Sequence, residues 1–445
     1  MRNHEDIGRR HFLRGIAAAG AAAAFPAIVP SSALGNAARA APSGRVGVAL
    51  ISCGERAGYA ARYHGHAKAE IVAVCDPVQE RREKAARQYG CPAIRDFRDA
   101  LARKDVDAVH ISTPDHWHVP IALMAAAAGK DMYIEKPLGL CIEQCLAARV
   151  IVDRHRRIVQ YGAQQRSLQH VRMGLELALN GHIGRIRELF AWAPQGESGG
   201  SAEPVLPVPP GFDYDLWLGP APQAPFCADR CLGRGPRKGI YHIHDYSIGF
   251  IAGWGAHPMD MLQWWADHAG RREIPVRYEG SGALPLHGLF NTVTHWDVRA
   301  VYADGLPLRF MDGGTAARLR PHPGVEGDHG TLLVGEEGWI RVSRNGWMTS
   351  PRSLMQRGRD PGERRLEVSP DQIDNFVDGV LPRRTPVDDL HSAIRSDLAC
   401  HLSEIAVRTG RPIRWDPIRE VIADDADAAR LMRRAMREPW GLPSL

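Results

Sequence analysis

The chain has 445 residues, 44% hydrophobic and 24% charged, the balance of a soluble globular protein too long for one ordinary domain. Its 56 Lys+Arg against 51 Asp+Glu give a net charge of +5, spread along the chain rather than gathered into a stripe, which excludes the electrostatic footprint of a nucleic-acid binder. A small neutral or weakly acidic substrate fits that charge better, and no stretch reaches the roughly 20 apolar residues that span a bilayer.

At the start of the chain, Gly8-Arg9-Arg10-His11-Phe12-Leu13-Arg14 precedes an Ala-rich apolar run from Ile16 to Val29, broken by Pro26, and Ala38-Arg39-Ala40 supplies a small-x-small cleavage pattern. The paired arginines followed by Phe-Leu resemble a twin-arginine export signal. Residues 1–40 are therefore read as a leader that hands an already folded protein to the twin-arginine machinery, and the expected location is the periplasm. Eight cysteines in a chain large enough to build its own core are expected to be mostly free and buried. Cys141/Cys145 and Cys227/Cys231 lack the second ligand pair of a structural zinc site, and no metal is expected.

From Arg45 onward, short β-branched runs at Val46 to Ile51, Ile71 to Cys75, Val106 to Ser112, Met132 to Ile134 and Ile158 to Tyr161 alternate with helical stretches at Val78 to Tyr89, Ile121 to Ala128 and Ile142 to His155. Asp76-Pro77 reads as an N-cap followed by proline at the first helical position, and Gly90 and Gly129 as helix stops. The pattern predicts a doubly wound parallel α/β domain over residues 41–163. A helix near Val171 to Leu179 follows, and then longer alternating strands at Ile186 to Trp192, Val293 to Tyr302, Leu306 to Phe310 and Trp339 to Val342. These predict a second α/β domain, 164–445, with a large, mostly antiparallel sheet. The Gly/Pro-rich stretch from Pro194 to Gly239 reads as a wrapping loop or a lid, and a helix from Leu390 to Arg408 packs back on the body.

The first strand runs into Ser52-Cys53-Gly54-Glu55-Arg56-Ala57-Gly58, where a dinucleotide fold carries G-x-G-x-x-G/A. Ser52 replaces the first glycine and Ala57 the third, while Gly54 keeps the place of closest pyrophosphate approach. Asp76 ends the second strand about 20 residues on, where a carboxylate accepts ribose hydroxyls. That favours NAD, with Arg81 and Arg82 near enough in sequence to leave NADP open. Thr113-Pro114-Asp115-His116-Trp117-His118 and Glu135-Lys136-Pro137 follow strands whose carboxyl ends face a ligand in such sheets. In Gly255-Ala256-His257-Pro258-Met259-Asp260 a loop enters a helix, with His257 near the cap and Asp260 on its face. An imidazole there is held neutral by the helix dipole and suits a general base. A core histidine bonded to Asp260 is the plainer alternative.

Glu135-Lys136-Pro137 together with Gly255-Ala256-His257-Pro258-Met259-Asp260 resembles the Gfo/Idh/MocA family of oxidoreductases. Gly162-Ala163-Gln164-Gln165-Arg166-Ser167, the Asp213 to Pro222 segment and Arg408-Thr409-Gly410-Arg411 are similar to its exported branch. The resemblance implies a Rossmann domain with tightly held NAD(P) on Ser52, Gly54, Arg56, Ala57, Asp76, Thr113, Pro114, His116, His118, Glu135 and Gln164. It implies a second domain whose sheet often forms homo-oligomer contacts. It also implies that Lys136 contacts the reacting hydroxyl and His257 exchanges its proton, with Gln165, Arg166, Trp217, Asp245 and Asp260 around the substrate. Many members carry Asp four residues before the histidine, where this chain has Gly253. Asp260 or Asp245 then orients His257, or Lys136 is itself the base. Trp117, Tyr214, Trp217 and Trp254 suit a sugar's apolar face. The expected reaction moves hydride between nicotinamide and a secondary alcohol of a sugar, polyol or glycoside. The alternatives are a glycosidase that oxidises transiently and recycles NAD, or a binding protein that has lost turnover.

Overall fold

The computed structural model describes residues 40–41, 44–231, 239–358 and 360–442; the export-signal motif, on residues 1–39, lies outside the described residues. From Val46 onward the chain forms one unit. Its first sheet is wholly parallel, in the order β3-β2-β1-β4-β5-β6, built from β1 (Val46–Ile51), β2 (Ala69–Cys75), β3 (Ala93–Ile94), β4 (Ala108–Ile111), β5 (Asp131–Ile134) and β6 (Val159–Tyr161). Every residue of β1, β4 and β5 is buried, as a parallel sheet covered on both faces requires. β3 is a two-residue edge strand with no apolar run, which is why the sequence pattern does not announce it.

Helix α1 (Gln79–Tyr89) stops at Gly90, whose φ of 67° places it in the left-handed region, as the sequence predicts. The N-cap differs from expectation. It is Val78, and Asp76 instead accepts the Val78 amide on one carboxylate oxygen and the Cys53 amide on the other, both at 2.8 Å. One oxygen is thus turned to the backbone of the dinucleotide loop and the other to the N-cap of α1. The stretch predicted as one helix over 142–155 is two, Ile142–Ala147 and Val150–Asp153. Ala148 and Arg149 keep right-handed helical angles, but Arg149 bonds back three residues to Leu146, a local tightening that splits the ladder.

The second sheet has nine strands: β7 (Ile186–Ala193), β8 (Arg277–Ala283), β9 (His295–Val301), β10 (Pro307–Asp312), β11 (Gly330–Gly335), β12 (Trp339–Ser343), β13 (Gly346–Ser350), β14 (Ile413–Asp416) and β15 (Val421–Ala423). Their order is β13-β12-β11-β7-β10-β9-β8-β14-β15, with β7/β10 parallel and the other pairs antiparallel. Helices α2 (Gln169–Leu179), α3 (Ala256–His268) and α5 (Leu390–Thr409) pack on it, and large side chains such as Trp264 and Trp296 are fully enclosed. Helix α4 (Gln372–Val380) returns to the first sheet, where Ile373, Phe376 and Val377 pack with Val46, Val48 and Tyr133.

Two features of chain path shape the site. Gly255 precedes α3 where an added Cβ would lie 2.0 Å from the Ile251 carbonyl oxygen; only glycine lets the Phe250–Gly253 turn close against the helix that carries His257. The Pro194 to Gly239 stretch forms short helices, Tyr214–Leu218 and Ala228–Cys231, held by an aromatic cluster of Phe212, Tyr214, Trp217, Phe226 and Tyr246. The chain's end straps this layer to the first sheet. Arg437 donates to the Gly219 carbonyl at 2.9 Å, and the Trp440 ring lies 4.8 Å from that of Trp117.

Candidate active site

Between β1 and β4 the strand order reverses, the place where open α/β sheets take ligands. A cavity of about 870 Å³ runs there from the Ser52 to Gly58 turn past Asp76 to Thr113, Pro114, Asp115, His118, Glu135 and Lys136. Leu216 and Trp217 of the Gly/Pro-rich stretch line it too, as do Ile240 and Tyr241 just after that stretch.

At its narrow end Ser52 adopts φ 85°, the left-handed side of backbone space that glycine occupies without strain. An added Cβ on Gly54 would meet only the Ser52 hydroxyl, at 3.6 Å, so the turn is open for backbone approach to a pyrophosphate. Asp76 is 2% exposed and burial pushes its carboxyl up, against the two amides that lower it. Each of its oxygens retains a lone pair for a ribose hydroxyl. Arg81, Lys84 and Arg95 line this end of the cavity, whereas Arg82 turns to the carbonyls of Asp76 and Pro77.

Midway, Arg56 and Glu135 pair at 2.8 Å, and Gln164 donates to Glu135 at 3.2 Å and to the Tyr133 hydroxyl at 3.3 Å. Glu135 Oε2 and Arg56 Nη2 have no partner, nor has Thr113 Oγ1. These unmet polar atoms, on residues held together by the cavity, fit a bound dinucleotide. His118 places Nδ1 2.6 Å from the Pro137 carbonyl and Nε2 2.9 Å from that of Thr113, and as a neutral ring it donates to one of the two. Burial depresses its pKa to about 4.

Lys136 is the chemical centre. Its ammonium donates to the Gly253 carbonyl and stands 5.9 Å from the Trp254 ring. Burial, first of all, brings its pKa down to about 8; Glu135 opposes this, Arg56 adds to it, and Asp115 opposes it. Asp115 is pushed up to about 7 by burial. His257, 2% exposed on the first turn of α3, also packs against Trp254, with ring centroids 5.6 Å apart. Burial and then the Lys136 and Arg344 charges hold it well below the usual histidine range. Arg344 Nη2 is 3.0 Å from His257 Nε2. Because guanidinium only donates, Nε2 accepts and the ring's proton sits on Nδ1, which has no partner.

Several expected residues stand elsewhere. Arg166 and Asp260, predicted at the substrate, form a buried ion pair that also takes in Asp388, 3.4 Å from Arg166 Nε. The guanidinium and Asp260 are spent on one another, with Asp388 held at ion-pair distance only. Asp260 therefore cannot orient His257, and Asp245 has its electrostatic neighbours in Tyr246 and Arg434. His116, predicted at the cofactor, is a core residue against Trp217 and Tyr246; its Nε2 lies 3.1 Å from the Trp217 carbonyl. Gln165 is 1% exposed and does not line the cavity. Trp217 does line it. Sequence reasoning missed Asp115, although it sits within the Thr-Pro-Asp-His segment already singled out. It also missed Arg344, whose position in the β12–β13 turn gives no local signal, and Tyr241.

Comparison with known proteins bears on this geometry. Residues 46–163 match the model of an oxidoreductase family with an NAD-binding Rossmann fold, and residues 173–347 and 361–442 match that family's C-terminal α/β domain. The chain is 32% identical over 221 residues to glycosyl hydrolase family 109 protein 1 of Shewanella sp. strain ANA-3, covering 41% of this chain and 47% of that protein. The same identity and coverage hold for an alpha-N-acetylgalactosaminidase of Shewanella oneidensis, so the chain spans about half the length of the curated relatives it matches. In fold it is similar to the aldose-aldose oxidoreductase of Caulobacter crescentus, with a TM-score of 0.56, 17% identity and coverage of 83% of this chain and 99% of that one. With both domain models matched in order along one chain, this protein belongs to the Gfo/Idh/MocA oxidoreductase family and carries its NAD-binding domain.

Proposed function

We propose that this chain oxidises a secondary alcohol of a sugar, polyol or glycoside with NAD(P), and that Lys136 takes the hydroxyl proton. The observation that carries the reading is Lys136 itself: a half-buried amine at the end of β5, in the wall of the cavity that begins at the dinucleotide turn, with a pKa brought down to about 8. The Ser52 to Ala57 turn, Asp76 and the Glu135 pair would hold NAD, which would supply the two-electron acceptor. Removing the hydroxyl proton in step with oxidation is what the protein contributes. A neutral Lys136 takes that proton, and the resulting ammonium then stabilises an oxyanion beside it or donates to Gly253. His257, with Nε2 occupied by Arg344, offers the Nδ1 proton to a substrate oxygen and so serves as a donor rather than the base expected from sequence. Asp115 sets the charge balance around Lys136. The lining residues Trp217 and Tyr241 offer aromatic faces to a sugar ring.

The curated relatives, glycosyl hydrolase family 109 proteins and an alpha-N-acetylgalactosaminidase, favour a second reading in which the oxidation is transient and the net reaction is hydrolysis. Protein loaded with NAD and given a panel of sugars and aryl glycosides separates the two. Lasting growth of reduced-nicotinamide absorbance supports the dehydrogenase, and aglycone release with no lasting change supports the glycosidase. Neither signal on any member of the panel overturns both and favours a binding protein.

The domain limits 41–163 and 164–445 and assembly into a homo-oligomer belong to the same proposal. So does export to the periplasm by the twin-arginine route, supported by Arg9-Arg10 and the apolar run after them; replacing both arginines with lysine should leave the protein in the cytoplasm.

A further inference from the structure

We propose that Arg344, an exposed residue outside the lining of the dinucleotide cavity but on the same indole as Lys136, anchors an anionic group, a carboxylate or an ester oxyanion, on the sugar whose hydroxyl meets Lys136. The inference rests on reading the cavity as a sugar-oxidising site and names the class of sugar.

Arg344 stands in the turn between β12 and β13. Its guanidinium carbon lies 5.1 Å from the centre of the Trp254 ring, whose centre is also 5.9 Å from Lys136 Nζ. Two cations thus share one indole, and a third, Arg56, is close enough to depress both. Arg56 and Arg166, by contrast, have carboxylates: Arg56 has Glu135, and Arg166 has Asp260 and Asp388. Among the described residues no carboxylate lies within 4.0 Å of Arg344. Of the acids whose charge reaches it, Glu135 is engaged with Arg56 and Asp328 with His329, at 2.7 Å.

What Arg344 has instead is the neutral Nε2 of His257. One imidazole lone pair is a poor match for a planar fork of five N–H donors, whose best partner is a two-oxygen anion. A bound oxyanion would give Arg344 the counter-charge that the protein withholds, beside the Lys136 ammonium. A neutral sugar would not.

The test is calorimetric titration of the NAD-loaded protein with matched pairs of methyl glycosides and methyl glycuronides in the gluco, galacto, manno and 2-acetamido configurations. Sugar sulfates and phosphates form separate arms that tell carboxylate from ester. At least one anionic member should bind about tenfold or more tighter than its neutral partner, and the preference should shrink at high salt. Arg344→Gln should bring the ratio close to one and Arg344→Lys should restore part of it, with NAD binding as the check that each variant is folded. A ratio unchanged in Arg344→Gln overturns the assignment. So does the failure of every anionic member to exceed its neutral partner. Oxidation of neutral sugars without any acid preference would sink the anchor and leave the proposed function standing. An Arg344-dependent acid preference with no oxidation of any sugar would support the anchor and sink that function.

Discussion

Replacing Arg166 with methionine separates a structural residue from a substrate contact. Arg166 is 2% exposed, and Asp260 and Asp388 are fully buried. The guanidinium bonds Asp260 through Nε at 2.8 Å and through Nη2, the Ser392 hydroxyl at 2.7 Å and the Val387 carbonyl at 3.1 Å, with Asp388 3.4 Å away. Methionine fills much of the volume but leaves two buried carboxyls without a counter-charge, a loss of about 3–5 kcal/mol. Burial already raises both carboxyls above their ordinary value despite Arg166, which lowers them; without it they rise further. A carboxyl whose folded pKa exceeds its unfolded one holds its proton more tightly when folded, so stability falls as pH climbs from the unfolded value towards the folded one, by about 1.4 kcal/mol per unit for each group. The deficit of Arg166→Met should therefore be smaller near pH 5 than near pH 8, a difference that urea unfolding at the two pH values reads directly. An equal deficit at both, or full stability with weakened substrate binding, would refute the reasoning and return Arg166 to the substrate.

Three further outcomes follow from the geometry. Lys136 accepts a proton only when neutral, and burial holds its pKa near 8, below the ordinary 10.5; turnover with saturating substrate should rise through about pH 8 and then level, whereas a rise completed well below the usual histidine range would make His257 the base. Trp440, packed on Trp117 and under the Arg98 guanidinium at 5.0 Å, should cost about 3–5 kcal/mol when cut to alanine, and an unchanged urea midpoint would contradict the strap. Ser52→Gly relieves a side chain at φ 85° at the expense of a looser unfolded chain, for a net gain of roughly 0.5–1 kcal/mol; a loss of stability would show that the serine hydroxyl matters more than the strain.

What the sequence made legible was what repeats locally. The apolar runs of β1, β2, β4 and β5 announce a parallel sheet because such strands are buried on both faces, and the glycine turn, Asp76 and Glu135-Lys136 sit at strand ends that any open α/β sheet turns to a ligand. Strands such as β8 and β14 alternate with charged residues over short spans and carry too little periodicity to stand out. The site beyond Lys136 is tertiary. Nothing local tells His118, which lines the cavity, from His116 two residues earlier, which packs in the core against Trp217 and Tyr246. Arg166 and Asp260 have the composition of a polar site, and only their partners, 94 and more residues apart in sequence, show them to be a buried brace. Arg344 comes from a turn nearly ninety residues beyond His257, and its role depends on which carboxylates are absent around it.

The central claim is that the Lys136 amine acts on a sugar hydroxyl within the dinucleotide cavity. It is tested most directly by following bound-nicotinamide absorbance in one turnover of NAD-loaded wild type and Lys136→Met with the same sugar. The account predicts a fall of about 10²–10⁴-fold in the variant with NAD affinity unchanged. A wild-type rate from Lys136→Met would contradict it.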